Sequence, residues 1–90
     1  MERSLVIAAD HPAYAGHFPG NPLLPGVVLL AEAMAAIGAE QHTVENAKFL
    51  APVTPGTALT LRHERLASGG ERIEIESPHG LVATATLSAP

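Results

Sequence analysis

The sequence contains no cysteine, no tryptophan and few aromatic residues, which are Tyr14, Phe18 and Phe49. Without cysteine there is no disulfide framework, no thiolate chemistry and no Cys-based zinc or iron–sulfur site. Charged residues make up 16% of the chain, whereas roughly 25% is typical of a soluble domain. Because charges and large side chains are both scarce, we expect the domain to bury part of its surface against a second copy or a partner.

Other missing features exclude further classes of function. The net charge is −4 and the five Lys and Arg residues are dispersed, so the basic surface of a nucleic-acid binder is absent. Apolar runs such as Val27–Ala31 are too short to span a membrane. The five histidines lack the HxH and HExxH spacings of metal sites. The N-terminus does not resemble a signal peptide, so we expect a cytoplasmic protein.

One helix is predicted within a single domain that covers residues 1–90. Good helix formers run without a proline from Gly26 to about Gln41, and Pro25 suits the helix start. Glu32 is the one charge inside this helix before Glu40, so the helix is apolar on nearly every side and should be buried. The 3-4-3-4 spacing predicts one core-facing stripe, which comprises Val27, Leu30, Met34, Ile37 and Gln41.

The remaining apolar and alternating segments predict strands. One precedes the helix and three or four antiparallel strands follow it, and glycine and proline turn signals separate the later segments. The predicted strands are Leu5–Ala9, Val44–Leu50, Thr57–Leu66, Glu71–Glu76 and Leu81–Leu87. A single long helix with an antiparallel sheet belongs to the α+β class.

The segment His17–Val27, which reads HFPGNPLLPGV, carries the chemistry. Its prolines and glycines make a stiff loop that presents the imidazole of His17 and then runs into the helix N-terminus. The free N–H of Gly26 can bind an oxygen that becomes negative, and Glu32 follows in the helix. A histidine base, an N–H donor and a carboxylic acid suffice to remove a proton next to a carbonyl group.

The longer segment HFPGNPLLPGVVLLAEAM closely resembles the signature of the 3-hydroxyacyl-acyl-carrier-protein dehydratases, which are hotdog-fold enzymes of fatty acid synthesis. Tyr14-Ala15-Gly16 and the segment Ala47–Gly56 extend the resemblance. It implies a hotdog fold, in which one long central helix is wrapped by an antiparallel sheet. Members of the family begin with a helix and a strand that have no counterpart before Leu5, so we expect an N-terminally truncated, short form.

The resemblance also implies roles for individual residues. His17 would take the C2 proton of a thioester substrate, the N–H of Gly26 would bind the thioester oxygen, and Glu32 of the other subunit would protonate the departing hydroxyl. A backbone carbonyl at Leu23 would orient the histidine. The segment residues expected to contact substrate are Phe18, Pro19, Gly20, Leu23 and Pro25.

No metal or redox cofactor is implied, because the substrate arrives on the phosphopantetheine arm of acyl carrier protein. The expected partners are that carrier protein and a second subunit, in a homodimer, a higher oligomer of dimers or a heterodimer with another hotdog subunit. Four cations could form a docking patch for the acidic carrier, or could be scattered solvated charges. They are Lys48, Arg62, Arg65 and Arg72.

The helix departs from the family pattern at its acid. An ungapped alignment places Ala31 where the family has its carboxylate, and Glu32 is one residue later. One residue rotates a side chain by about 100° around a helix, which would turn Glu32 away from the site. A one-residue insertion absorbed by a π-bulge would restore it.

Three functions therefore remain open at the level of the sequence. The first is dehydration of a 3-hydroxyacyl thioester to the trans-2-enoyl thioester, in fatty acid or related lipid or polyene biosynthesis. The second is a catalytically impaired subunit that binds acyl carrier protein or pairs with an active dehydratase, which the Ala31 position favours. The third is acyl thioester hydrolysis on the same fold.

Overall fold

A computed structural model describes residues 1–8, 10–12 and 23–90. Within these ranges the chain forms one helix and five strands. They are β1 (Glu2–Leu5), α1 (Gly26–Ala36), β2 (Thr43–Phe49), β3 (Leu59–Arg65), β4 (Glu71–Ser77) and β5 (Gly80–Ser88). The strands form a single sheet in the order β1-β3-β4-β5-β2, and every neighbouring pair is antiparallel. The α+β prediction is confirmed, and the four later strands lie within two residues of their predicted bounds.

The two faces of the sheet differ because successive side chains of a strand point to opposite sides. One face supplies the core, where Leu61, Ile73, Ile75 and Leu87 are fully buried in one cluster with residues of α1. Burying each of these side chains contributes about 1.5–3 kcal/mol. The opposite face is polar. Its charged residues on β3 and β4 are Arg62, Glu64, Arg72, Glu74 and Glu76.

The first strand lies earlier than the apolar run predicted. The prediction of Leu5–Ala9 was wrong, because β1 spans Glu2–Leu5 and pairs with β3. Leu5 and Ile7 are nonetheless buried, whereas the side chain of Val6 between them is 83% exposed. The hydrophobic pattern predicts that Leu5 and Ile7 are buried, but pairing with β3 determines which residues form the strand.

The helix ends at Ala36, five residues before the predicted Gln41. The N–H of Gly38 donates to the carbonyl of Ala35 at 3.2 Å, and the N–H of Ala39 donates to the carbonyl of Met34 at 2.8 Å. With Gly38 at a φ of 72°, these bonds form a Schellman motif, which ends a helix by satisfying its last carbonyls. The predicted extension was wrong because the alanine-rich composition continues through this stop signal.

Strand β1 is linked to the C-terminus of α1. The guanidinium of Arg3 donates to the backbone carbonyl of Ala36, one of the carbonyls that lack a partner within the helix. A cation at this end of a helix also interacts favourably with the helix dipole. Arg3 therefore ties the first strand to the helix end.

The core-facing stripe of α1 differs from the prediction. The buried residues are Leu29, Leu30 and Ala33, whereas the side chain of Val27 is 73% exposed. Only Leu30 of the predicted stripe is buried, and Met34 and Ile37 are partly buried against the core. The prediction was wrong because a helix that is apolar on all sides has no polar face from which periodicity could infer its orientation.

The helix begins directly after Pro25, whose carbonyl accepts from the N–H groups of Val28 at 3.0 Å and Leu29 at 3.1 Å. Gly26 is the first helical residue and lies against the ring of Phe49, the last residue of β2. A Cβ atom at Gly26 would lie only 2.8 Å from Cγ of that ring. The close approach of the aromatic ring therefore requires glycine at this position.

Replacing Gly38 with alanine should lower the free energy of unfolding by about 1–2 kcal/mol, because alanine is strained at a positive φ. Gly38→Asn should cost less, because asparagine adopts this conformation more readily. Urea unfolding with an unchanged m-value measures both losses. Equal losses in the two variants would show that the backbone conformation is not their cause.

Replacing Gly26 with alanine should also destabilise the protein, by about 1–3 kcal/mol, because the new methyl group overlaps the Phe49 ring. Helix propensity alone predicts the opposite sign, since alanine is a better helix former than glycine. The cost of Gly26→Ala should shrink in a Phe49→Ala background, and the coupling in this double-mutant cycle measures the contact. A stabilising Gly26→Ala would contradict the packing described.

Candidate active site

The described residues include part of the predicted site. Leu23, Pro25 and Gly26 lie at the start of α1 and are each partly buried, and Glu32 lies two turns into the helix. The other predicted residues, which are His17, Phe18, Pro19 and Gly20, lie outside the described residues. The structure therefore shows the helix side of the predicted site.

A cleft of about 320 Å³ opens at the N-terminus of α1. One wall is the helix start and the other is the end of β2 with the turn that follows. The lining residues are Leu24, Gly26, Leu29, Phe49, Leu50, Ala51, Pro52 and Val53. The N–H of Leu24 donates to the carbonyl of Val53 at 2.9 Å and joins the two walls. The lining is apolar, as in sites that hold uncharged ligands.

The N-terminus of α1 brings unpaired backbone N–H groups to this cleft. Among the described residues no side chain caps it, and its first turn contains no acidic residue. The N–H groups of Gly26 and Val27 have no acceptor within the helix, because the first turn of an α-helix leaves its donors unpaired. These donors and the positive end of the helix dipole can together stabilise a negative oxygen.

Exposed apolar side chains surround the same end of the molecule. Val27, Phe49 and Leu50 are 73%, 49% and 55% exposed, respectively. Phe49 and Leu50 are cleft residues that the sequence interpretation did not assign to the site. The sequence signal for both residues is that they belong to the segment Ala47–Gly56, which resembles the family. Nothing in the sequence places this segment beside Gly26.

Glu32 is held by His11, a histidine to which the sequence interpretation assigned no role in the site. Nε2 of His11 lies 2.9 Å from Oε1 of Glu32, and the two side chains are 24% and 39% exposed, respectively. The contact joins segments 21 residues apart. No periodicity of the sequence could have indicated it, and its only signal was the nearness of His11 to the His17 motif.

The π-bulge invoked to reorient Glu32 is not present. Residues Gly26–Ala36 form an uninterrupted α-helix, so nothing in it absorbs an additional residue and that hypothesis is wrong. Ala31 is exposed, whereas Glu32 is partly buried beside His11. The carboxyl group therefore lies on a flank of the helix next to the face that Ala31 occupies.

The suggested basic docking patch is partly neutralised. Arg62 contacts the carboxylates of Glu76 and, at 3.6 Å, Glu74, while Arg72 lies 3.4 Å from Glu64. The carboxylate of Glu76, followed by that of Glu74, raises the pKa of Arg62 above its usual value. These cations already have partners on their own sheet face.

The other two cations of the suggested patch lie far apart. Lys48 is on β2 and Arg65 on β3, and β4 and β5 separate these strands in the sheet. The four positive charges thus do not form one patch on the described surface. Scattered charges, which was the alternative interpretation, fit this arrangement better.

The described residues lack two further kinds of feature. They contain no group of three or more His, Cys, Asp or Glu side chains that could hold a metal ion. Across residues 1–8, 10–12 and 23–90, no helix has the length and apolar character needed to cross a membrane.

Known proteins resemble this chain in both sequence and structure. The 3-hydroxyacyl-acyl-carrier-protein dehydratase FabZ of a Wolbachia strain from Drosophila simulans is 38% identical, over 62% of this chain and 48% of the relative. The FabZ of a Thermus thermophilus strain is 40% identical, over 68% of this chain and 53% of the relative. The chain thus spans about half the length of the curated relatives it matches.

A solved structure shows the same fold. It is a chain of the dehydratase heterocomplex ApeI:P from Xenorhabdus doucetiae, which superposes with a TM-score of 0.81 over 97% of this chain and 83% of the other, at 22% identity. This likeness confirms the predicted hotdog fold. The ApeI-like family, described as ApeI dehydratase, matches residues 1–83. This chain therefore belongs to the ApeI dehydratase family of hotdog proteins.

Proposed function

We propose that this protein dehydrates a 3-hydroxyacyl thioester carried on acyl carrier protein and releases the trans-2-enoyl thioester. One observation carries the proposal. The HFPGNPLLPG segment leads into a helix whose first N–H groups open onto an apolar cleft. Membership of the ApeI dehydratase family and the similarity to FabZ enzymes support the same reaction.

The reaction moves two protons and expels water. His17 accepts the proton on C2, and the electrons of that C–H bond form the C2–C3 double bond as the C3–O bond breaks. Glu32 donates a proton to the departing hydroxyl, which leaves as water, and it does so from the flank of α1 beside Ala31 and not from the position of the family's acid. The N–H of Gly26 hydrogen-bonds to the thioester oxygen, where negative charge develops during loss of the C2 proton.

The remaining motif residues hold the substrate. Leu23 orients the imidazole through its backbone carbonyl, and Pro25 precedes the Gly26 donor at the cleft. Phe18, Pro19 and Gly20 contact the thioester end of the chain. The reaction uses no metal or redox cofactor, because one group removes a proton and another supplies one.

Two subunits assemble each site in this proposal, with His17 from one and Glu32 from the other. The exposed edge strand β2 and the exposed Val27, Ala31 and Ala35 of α1 support it, because both are surfaces that another subunit can cover. The assembly is a homodimer, or a heterodimer with another hotdog subunit. A cytoplasmic location suits a reaction on acyl carrier protein.

A second candidate is a catalytically impaired subunit that pairs with an active dehydratase. Ala31 occupies the position of the family's acid, and the carboxylate of Glu32 is already engaged by His11. This candidate differs from the first in one measurable respect. The purified chain alone would then bind acyl carrier protein without forming an enoyl product.

Replacing His17 with alanine should lower the turnover of a 3-hydroxyacyl thioester by roughly 10²–10⁴-fold, because the general base is lost. Formation of the enoyl thioester by the wild-type chain and His17→Ala, followed by absorbance and mass spectrometry, measures this loss. Wild-type turnover in the variant would refute the assigned base. Release of free thiol without an enoyl product would identify a thioesterase instead.

Replacing Glu32 with glutamine should cause a loss of similar size, because the amide cannot supply the proton. If the site is shared, mixing His17→Ala and Glu32→Gln chains should restore activity, since a hybrid dimer contains one intact site. After full subunit exchange, half of the dimers are hybrids and recovery should reach about a quarter of the wild-type rate. Unrestored mixtures of exchanging chains would contradict a shared site.

A further inference from the structure

We infer that His11 is a positioning residue that holds the carboxyl group of Glu32 in place for catalysis, an inference that rests on the proposed dehydratase function. The carboxyl group and the imidazole are 2.9 Å apart, within hydrogen-bond distance. None of the roles assigned to the His17 motif includes this histidine. His11 acts through Glu32 and does not contact the substrate.

The backbone of His11 is held close to the core. The N–H of His11 donates to the carbonyl of Ala8 at 3.0 Å, and Ile7, just before Ala8, is buried. Pro12 follows His11 and fixes the next φ angle. The point from which the imidazole extends is therefore constrained on both sides.

Glu32 needs such a partner because its own helix offers none. It is the only charged residue of α1, and its neighbours one turn away on the helix are Val28 and Ala36. A glutamate side chain has several rotatable bonds and is freely mobile unless a contact restrains it. A hydrogen bond is directional, so the His11 contact restrains the carboxyl group.

The position of the carboxyl group decides the rate because the proton must reach the leaving hydroxyl. A displacement of about 1 Å in a catalytic group can cost roughly 100-fold in rate. The flank of α1 that carries Glu32 also adjoins the exposed face of Ala31. Without His11 the side chain can extend along that face and away from its working position.

The test compares His11→Ala and His11→Gln in the full chain, with a 3-hydroxyacyl-N-acetylcysteamine thioester as substrate. His11→Ala should lower kcat by roughly 10–100-fold and leave KM nearly unchanged. His11→Gln should recover most of the rate, because its amide N–H can replace the Nε2 donor. Unchanged kcat in His11→Ala, or an equal loss in both variants, overturns the inference.

A double-mutant cycle shows whether His11 acts through Glu32. Adding His11→Ala to Glu32→Gln should cause no further loss of the residual rate, because the group that His11 positions is already disabled. A full additional loss would overturn the inference. His63→Ala is the matched control, since His63 forms a comparable contact with Glu71 at 3.3 Å on β3 and β4. It should leave kcat unchanged.

The contact also has a readout that is independent of activity. In long-range ¹H–¹⁵N spectra, the Nε2 signal of His11 should shift between the wild-type protein and Glu32→Gln, while that of His63 should not. An unchanged His11 signal overturns the inference, even where His11→Ala fails to fold. A wild-type chain that forms no enoyl product, yet shows the shift, instead overturns the dehydratase function and leaves the contact intact.

Discussion

The structure depends on one constraint, which is that α1, the one helix of the described residues, has no polar face. Ten of the eleven residues of α1 are uncharged and apolar or glycine, and the sheet covers only the side that carries Leu29, Leu30 and Ala33. The opposite side, with Val27, Ala31 and Ala35, remains exposed. Because exposed apolar surface favours association, the exposed side of this helix is suited to contact with a second subunit.

The sheet, unlike α1, has one apolar face and one polar face. Its inner face buries four large aliphatic residues, while its outer face pairs Arg62 and Arg72 with glutamates on neighbouring strands. Cross-strand pairs of opposite charge stabilise a sheet modestly. Five of the chain's fourteen charged residues thus lie on the outer face of β3 and β4.

The parts of the fold that were predicted correctly are those encoded locally. Alternating residues and glycine or proline turns located β2 to β5, because both signals act within a few residues. The errors arose where tertiary partners decide the outcome. Pairing with β3 moved β1 to Glu2–Leu5, and the Schellman motif at Gly38 ended the helix early.

The candidate site likewise could be predicted only where local sequence patterns encode it. The motif identified Gly26 and Glu32 as site residues. The Phe49 ring beside Gly26 and the His11 imidazole beside Glu32 come from segments more than 20 residues away in the sequence. The orientation of α1 is also set by packing, because its composition is nearly uniform around the axis. Local patterns therefore identified the chemical groups, whereas the contacts that position them required the folded chain.

A second subunit on the exposed face of α1 would also affect Glu32, the one charged residue of this helix. A subunit that covers the exposed face of α1 removes water from the neighbourhood of Glu32, which is 39% exposed in the single chain. Removing water from a carboxylate is costly unless a hydrogen-bonding partner replaces it. His11 provides that partner from the same chain, so the carboxyl group is already hydrogen-bonded before a second subunit arrives. The same contact therefore lowers the cost of association and fixes the group that the proposed reaction requires.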